Sequence, residues 1–333
     1  GSQIWRKDLR PAAGPTIKGG FLGLMPKKND RLGFGGGVAV GPDNKLYVAS
    51  GFRFVAQIDA ATGNLGWSQQ TSTPIHGAPT VVDGRLFVVS TDNELLTYST
   101  ENGAPGWTYQ ALSEPARILA ASSPAVSGDT VVAGFASGEL VALRTTNGND
   151  LWSEALSRAS RTNALSEIRD IPGRPVIYKG DVFAVSHSGV FAATDLRTGQ
   201  ARWSLPVVGI SSPLPEGDVV YVMSLDGQLI CASRESGQIY WMRNLNAGYV
   251  AKRKGGFWGI GGKKVLKPVW TGPILVNNRL IVVGSTGQLV AVDAKTGEVG
   301  RKVDLGAPAL IAPIAAGDMI YVALDNAQLV ALR

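Results

Sequence analysis

The chain is short of the residues that most often carry chemistry. Its 333 residues include one cysteine and two histidines. A single cysteine closes no internal disulfide. In "GQLICASR", Cys231 sits among apolar neighbours, as a small buried core residue does and a reactive thiol does not. His76 and His187 lie too far apart in the pattern described below to build a His-rich metal site, and "SHSG" at 186–189 makes His187 a turn residue. Neither Cys-x-x-Cys-His nor Gly-x-Ser-x-Gly occurs, so covalently attached haem and the strained serine elbow have no support. No metal, cofactor or catalytic residue is therefore expected. No run approaches the roughly 18 apolar residues of a membrane helix, and no basic-then-apolar leader opens the chain, so an exported parent would have had its signal removed. Charged residues are only 17%, and the net charge of +6 is scattered, which argues against nucleic acid as a partner. With 44% apolar content, a chain of this length is expected to be soluble and fully folded, burying roughly 75% of its unfolded surface.

Repetition is what the sequence has in abundance. The phrases "DAATGNLGW", "TENGAPGW", "TTNGNDLW" and "RESGQIYW" match "DLRTGQARW" at 195–203. Gly63, Gly103, Gly148, Gly199 and Gly237 each stand four residues before Trp67, Trp107, Trp152, Trp203 and Trp241, and Gly297 stands likewise before Arg301. Upstream prolines lie 28 residues before the indole: Pro79 before Trp107, Pro124 before Trp152, Pro175 before Trp203 and Pro213 before Trp241. A spacing this constant defines a structural module. Between proline and tryptophan come short alternating apolar runs such as "RLFVVS", "DVFAVS" and "DVVYVMS", separated by Gly, Asn and Asp turns, and no helical period appears. Each module reads as four short antiparallel strands. Four-stranded modules in series predict an all-β propeller, with the turn glycine supplying positive φ and the indole filling space between blades.

The last module begins at Pro313 and ends at Arg333 without its tryptophan strand, whereas the chain opens on "GSQIW", with Gly1 four residues before Trp5. The prediction is one domain over residues 1–333: seven blades, closed by the N-terminal strand joining the C-terminal blade. Trp5, Trp67, Trp107, Trp152, Trp203 and Trp241 are then structural, buried at equivalent positions.

The stretches "SSPAVSGDTVVAGFASGELVALRTTNGNDLW" and "RTNALSEIRDIPGRPVIYKGDVFAVSHSGVFAATDLRTGQARW" resemble the BamB family, the lipoproteins of the outer-membrane β-barrel assembly machinery, notably those of alphaproteobacteria. Tryptophan-docking repeats of this kind also occur in quinoprotein dehydrogenases. The BamB family usually has eight blades, so the resemblance implies a parent with one further N-terminal blade. It also implies a periplasmic location at the outer membrane, a lipid anchor on the parent that lies outside this chain, and a non-catalytic scaffold role. The implied partners are the POTRA domains of BamA, with unfolded outer-membrane proteins as a further class.

Because the module length is fixed, length variation gathers in the connections after the tryptophan strands, where binding residues usually sit. From the resemblance, 112–123 and 163–172 correspond to the BamA-contacting connections, with Ile118 matching an apolar contact and Asp170 an acidic one. Leu119 stands where some relatives carry a functional arginine and Pro172 where they carry a second aspartate, which makes nearby Arg117 and Arg169 candidates to substitute. A second candidate surface, for a partner or an anionic membrane, is "AKRKGGFWGIGGKK", with Lys252, Arg253, Lys254, Phe257 and Trp258. Residues 19–35 share its glycine, aromatic and lysine content. A different class of function, a propeller binding pyrroloquinoline quinone or another small ligand, is the alternative implied by the quinoprotein likeness.

Overall fold

The predicted apolar runs form strands, and within each sheet every strand pairs with the next in sequence. The computed structural model describes residues 3–9, 35–113, 122–157, 168–249, 253–254, 263–264 and 267–333. The first sheet holds β1 (Gly36–Val40), β2 (Lys45–Ser50), β3 (Phe54–Asp59) and β4 (Leu65–Gln70). The second holds β5 (Thr80–Val82), β6 (Arg85–Val89), β7 (Glu94–Ser99) and β8 (Pro105–Gln110), and the third β9 (Ala125–Ser127), β10 (Thr130–Gly134), β11 (Glu139–Arg144) and β12 (Asp150–Ala155). The fourth comprises β13 (Val176–Tyr178), β14 (Asp181–Val185), β15 (Phe191–Asp195) and β16 (Ala201–Leu205). The fifth comprises β17 (Leu214–Glu216), β18 (Val219–Met223), β19 (Gln228–Ser233) and β20 (Ile239–Asn244). A two-residue ladder, β21 (Arg253–Lys254) with β22 (Lys263–Lys264), precedes the sixth sheet of β23 (Trp270–Val276), β24 (Arg279–Gly284), β25 (Gln288–Asp293) and β26 (Val299–Asp304). The seventh has β27 (Ile314–Ala316), β28 (Met319–Ala323) and β29 (Leu329–Leu332). Seven successive antiparallel meanders, with no helix among the described residues, make the fold an all-β propeller. Two compact units divide them, Gly1–Glu154 with the first three sheets and Ala155–Arg333 with the rest.

The core lies between sheets. In the first unit, Leu86 and Val88 of β6 pack on Tyr47, Ala49 and Val55 of the first sheet, while Phe87 and Val89 turn the other way onto Val131, Ala133 and Phe135 of the third. Alternate residues of one strand thus serve two neighbours, which is why the second strands read as unbroken apolar runs. The second unit repeats the arrangement: Val220, Val222 and Ile230 of the fifth sheet pack on the fourth, and Tyr221, Met223, Leu229 and Cys231 pack on the sixth. A charged tie reinforces one pair, since Asp181 of β14 is buried and accepts from Arg202 and from Arg234, the latter in the turn after β19.

The tryptophan and the glycine of the repeat turn out to be partners across sheets. Trp67 donates its indole N–H to the Thr100 carbonyl (3.0 Å), and its ring lies on Gly103, where a Cβ would stand 2.6 Å from it. Trp107 does the same with Thr145 and Gly148, Trp203 with Arg234 and Gly237, and Trp241 with Ala294 and Gly297. Gly103 has φ of +74°, so glycine meets two demands there: a left-handed backbone and room for an indole. Gly297 keeps both roles although its own strand carries Arg301 in place of tryptophan, because it receives Trp241. A register shift in the pairing with the fourth strand, as between Cys231 and Ala232 opposite Trp241, adds local twist and turns the indole toward the next sheet. These indoles keep only a minor part of their surface in solvent, and Trp152 falls to 9% exposure. None of the five is exposed, in line with the expectation that the repeat tryptophans are largely buried.

At the chain ends the sequence reading needs a correction. Trp5 docks as the repeat requires, donating to Ala60 (2.8 Å) and lying on Gly63. Residues 3–9, however, form no strand, and the seventh sheet has three strands among the described residues. Gly1 and Ser2, the turn half of the N-terminal phrase, lie outside those residues, and among the described residues no N-terminal strand joins the last sheet. The indole docks by one side-chain bond and its fit to glycine, and needs no backbone ladder.

Candidate partner-binding surface

Where a fourth strand ends, the chain must cross to the next sheet, and the buried polar groups at that crossing need hydrogen-bond partners. In the second unit, the crossing from β12 to β13 starts at Leu156 and returns at Asp170 and Ile171, all three 1% exposed. Both ends meet the turn between β14 and β15. Ser188 Oγ donates to the Leu156 carbonyl (3.1 Å), and the His187 amide donates to the Asp170 carbonyl (2.8 Å). Ser186 stiffens the turn from within: its Oγ lies 3.0 Å from Ser188 Oγ and accepts from the Val190 amide, and its carbonyl accepts from Gly209. Gly173 packs so tightly that a Cβ would stand 2.7 Å from the Ser211 backbone.

The other crossings are anchored by different residues. Asn93 Nδ2 donates to the Leu112 carbonyl (2.7 Å), its Oδ1 accepts from the Ala136 amide (3.0 Å), and Glu139 accepts from the Leu112 amide, leaving the Leu112 side chain 67% exposed at the start of the 112–123 connection. After β20, buried Asn246 donates to the carbonyls of Asp226 (3.1 Å) and Pro268 (3.0 Å) and accepts from the Trp270 indole (2.9 Å). One side chain thereby ties the outgoing and returning chain to the β18–β19 turn. Sequence reading missed Asn246 and Trp270 because neither belongs to the repeat; the only available signal was a tryptophan outside the phrase.

The predicted site residues separate on this geometry. Asp170 is buried, so its carboxylate is withheld from any docking partner, whereas neighbouring Arg169 is exposed. Arg253 and Lys254 pair in register with Lys264 and Lys263, which gathers four basic residues along one short ladder. Arg117, Ile118, Leu119, Lys252, Phe257 and Trp258 lie outside the described residues. Among the described residues no three His, Cys, Asp or Glu side chains come together as metal ligands. Burial pushes the Cys231 thiol up to about 11, the state of an inert core cysteine.

Seven meander sheets tied by indole-to-glycine docking define a tryptophan-docking propeller, a class set by its scaffold with its function carried by the connections. A family model described as outer membrane protein assembly factor BamB matches residues 1–243 and 256–333, and the chain belongs to that family. Curated relatives called outer membrane protein assembly factor BamB include one from Moranella endobia, 24% identical over all of this chain and 78% of the relative. Another, from Yersinia pestis, is 22% identical over 97% of this chain and 75% of the relative. Among solved structures, BamB from Moraxella catarrhalis superposes with a TM-score of 0.76 at 18% identity, covering 89% of this chain and 83% of that one. A computationally designed protein, Ika8, also superposes, with a TM-score of 0.66 at 14% identity over 87% of this chain and 81% of that one.

Proposed function

We propose that the chain is a non-catalytic scaffold subunit of the outer-membrane protein assembly (BAM) complex, acting at the periplasmic side of the outer membrane as one propeller domain. It binds the POTRA domains of BamA through residues at its long connections. Membership of the assembly-factor family carries the reading. The anchored crossings support it: a rigid scaffold that fixes the ends of its connections loses little entropy when they engage a partner. Exposed Leu112 and Arg169 at two of those ends offer an apolar and a cationic contact.

Calorimetry of this chain with the POTRA domains of BamA from the same organism tests the proposal. Saturable binding that weakens on Leu112→Asp or Arg169→Glu, with the fold intact by circular dichroism, is the expected result. A few central interface residues commonly carry ~2 kcal/mol or more, roughly a thirtyfold loss of affinity. No binding by the unmodified chain overturns the partner assignment. Stoichiometric, calcium-dependent uptake of pyrroloquinoline quinone would instead favour the small-ligand reading.

A further inference from the structure

The crossing between β12 and β13 assigns different duties to two adjacent residues that a charge-based reading treats alike. Arg169 is exposed, and Asp170 is 1% exposed. The backbone of Asp170 is held by the His187 amide, and one residue beyond, Ser188 holds Leu156 at the other end of the same crossing. Both ends of the 156–170 crossing are therefore tied to one four-residue turn, itself fixed by Ser186. Reaching a partner with the Asp170 carboxylate would require bringing a buried group to the surface.

We propose that Asp170 and Ser188 are positioning residues of the partner surface, and that Arg169, set in place by them, contacts an acidic patch on the partner. This rests on the BamA reading above. A contacting charge and a positioning group differ in their salt signature. An exposed charge facing an opposite charge adds to the salt dependence of association, whereas a group that fixes backbone geometry changes affinity and leaves that dependence alone.

The test combines POTRA binding across a range of salt concentrations with tryptic cleavage after Arg169 in the chain alone. Arg169→Glu is expected to lower affinity at least about tenfold at low salt and to flatten the salt dependence. Ser188→Ala is expected to lower affinity about threefold to tenfold at unchanged salt dependence, and Ser188→Thr, which keeps the hydroxyl, restores it. Asp170→Asn is expected to keep the salt dependence of the unmodified chain. In the free protein, Ser188→Ala accelerates cleavage after Arg169, because one end of the crossing is released. A salt dependence flattened by Asp170→Asn as much as by Arg169→Glu would make Asp170 a contact and overturn the proposal. So would a Ser188→Ala variant of unchanged affinity, or one cleaved at the unmodified rate. If the unmodified chain binds no POTRA domain, the functional reading falls, and the cleavage comparison still decides whether Ser188 anchors the crossing.

Discussion

The fifth and seventh sheets follow the same pattern of strands and turns and end in different environments. Residues 213–233 and 313–333 align without a gap: Tyr221 with Tyr321, Met223 with Ala323, Leu229 with Leu329 and Cys231 with Ala331. The ladders agree as well, since Tyr221 pairs with Cys231 and Tyr321 with Ala331. Yet Leu229 is 0% exposed and Leu329 is 69% exposed. The fifth sheet packs on the fourth by one face, and Trp270, Leu280, Val282, Val290 and Val292 of the sixth cover the other. The seventh uses Ile320, Val322, Val330 and Leu332 against the sixth and leaves Ile314, Ala323, Leu329 and Ala331 exposed. A strand pattern thus states which faces are apolar, while burial depends on whether a neighbouring sheet is there to cover them.

The sharpest way to break this comparison is to truncate the matched leucines. Leu229→Ala removes a fully buried side chain and should cost ~2–5 kcal/mol, as buried leucine truncations do. Leu329→Ala, at a mainly solvated position, should change stability by no more than ~0.5 kcal/mol. Urea denaturation of the two variants measures the difference. Equal losses would mean that the exposed face of the seventh sheet is covered in solution.

Thiol labelling sharpens the same contrast without destabilising the scaffold. Cys231 is 3% exposed and its thiol is pushed up to about 11, chiefly by burial, so at pH 8 it is protonated as well as shielded. Its counterpart Ala331 is exposed. An Ala331→Cys variant should take up one equivalent of an aromatic disulfide reagent at the rate of a free thiol. Cys231 should react at least about a hundredfold more slowly, through local opening alone. Rapid labelling of the unmodified chain would show that the interface between the fifth and sixth sheets opens readily.

Much of the scaffold was legible because its physics is local. Turn glycines, alternating apolar runs and a fixed proline-to-tryptophan distance each report backbone geometry or a two-sided core, and those demands recur in every module. What escaped depends on distant partners. That Gly103 serves Trp67 of the preceding sheet, that Asn246 ties both ends of one crossing, and that Asp170 turns inward while Arg169 turns outward are contacts between residues with no sequence periodicity relating them. The last blade misled for a related reason. A matching phrase at Gly1–Trp5 identified a docking indole correctly, but a tryptophan can dock without its backbone joining a ladder.

The smallest effect should distinguish the two sheets at their central turn, where Gly227 of the fifth corresponds to Ala327 of the seventh. Both are left-handed, with φ of +83° and +64°. Gly227 meets a second demand, because a Cβ there would collide with the Asn246 amide that ties the following crossing. Ala327 already carries a Cβ in a conformation that costs an L-residue roughly 1–2 kcal/mol. The two exchanges should therefore move stability in opposite directions. Ala327→Gly relieves backbone strain and loses some unfolded-state restriction, for a net gain of up to ~1 kcal/mol. Gly227→Ala adds the same strain and also displaces Asn246, for a loss of ~2 kcal/mol or more. Thermal unfolding of the pair gives the answer by its sign, since both variants losing stability would mean that Ala327 is held in place by contacts of its own, and equal and opposite shifts would mean that Asn246 yields to the added methyl at no cost.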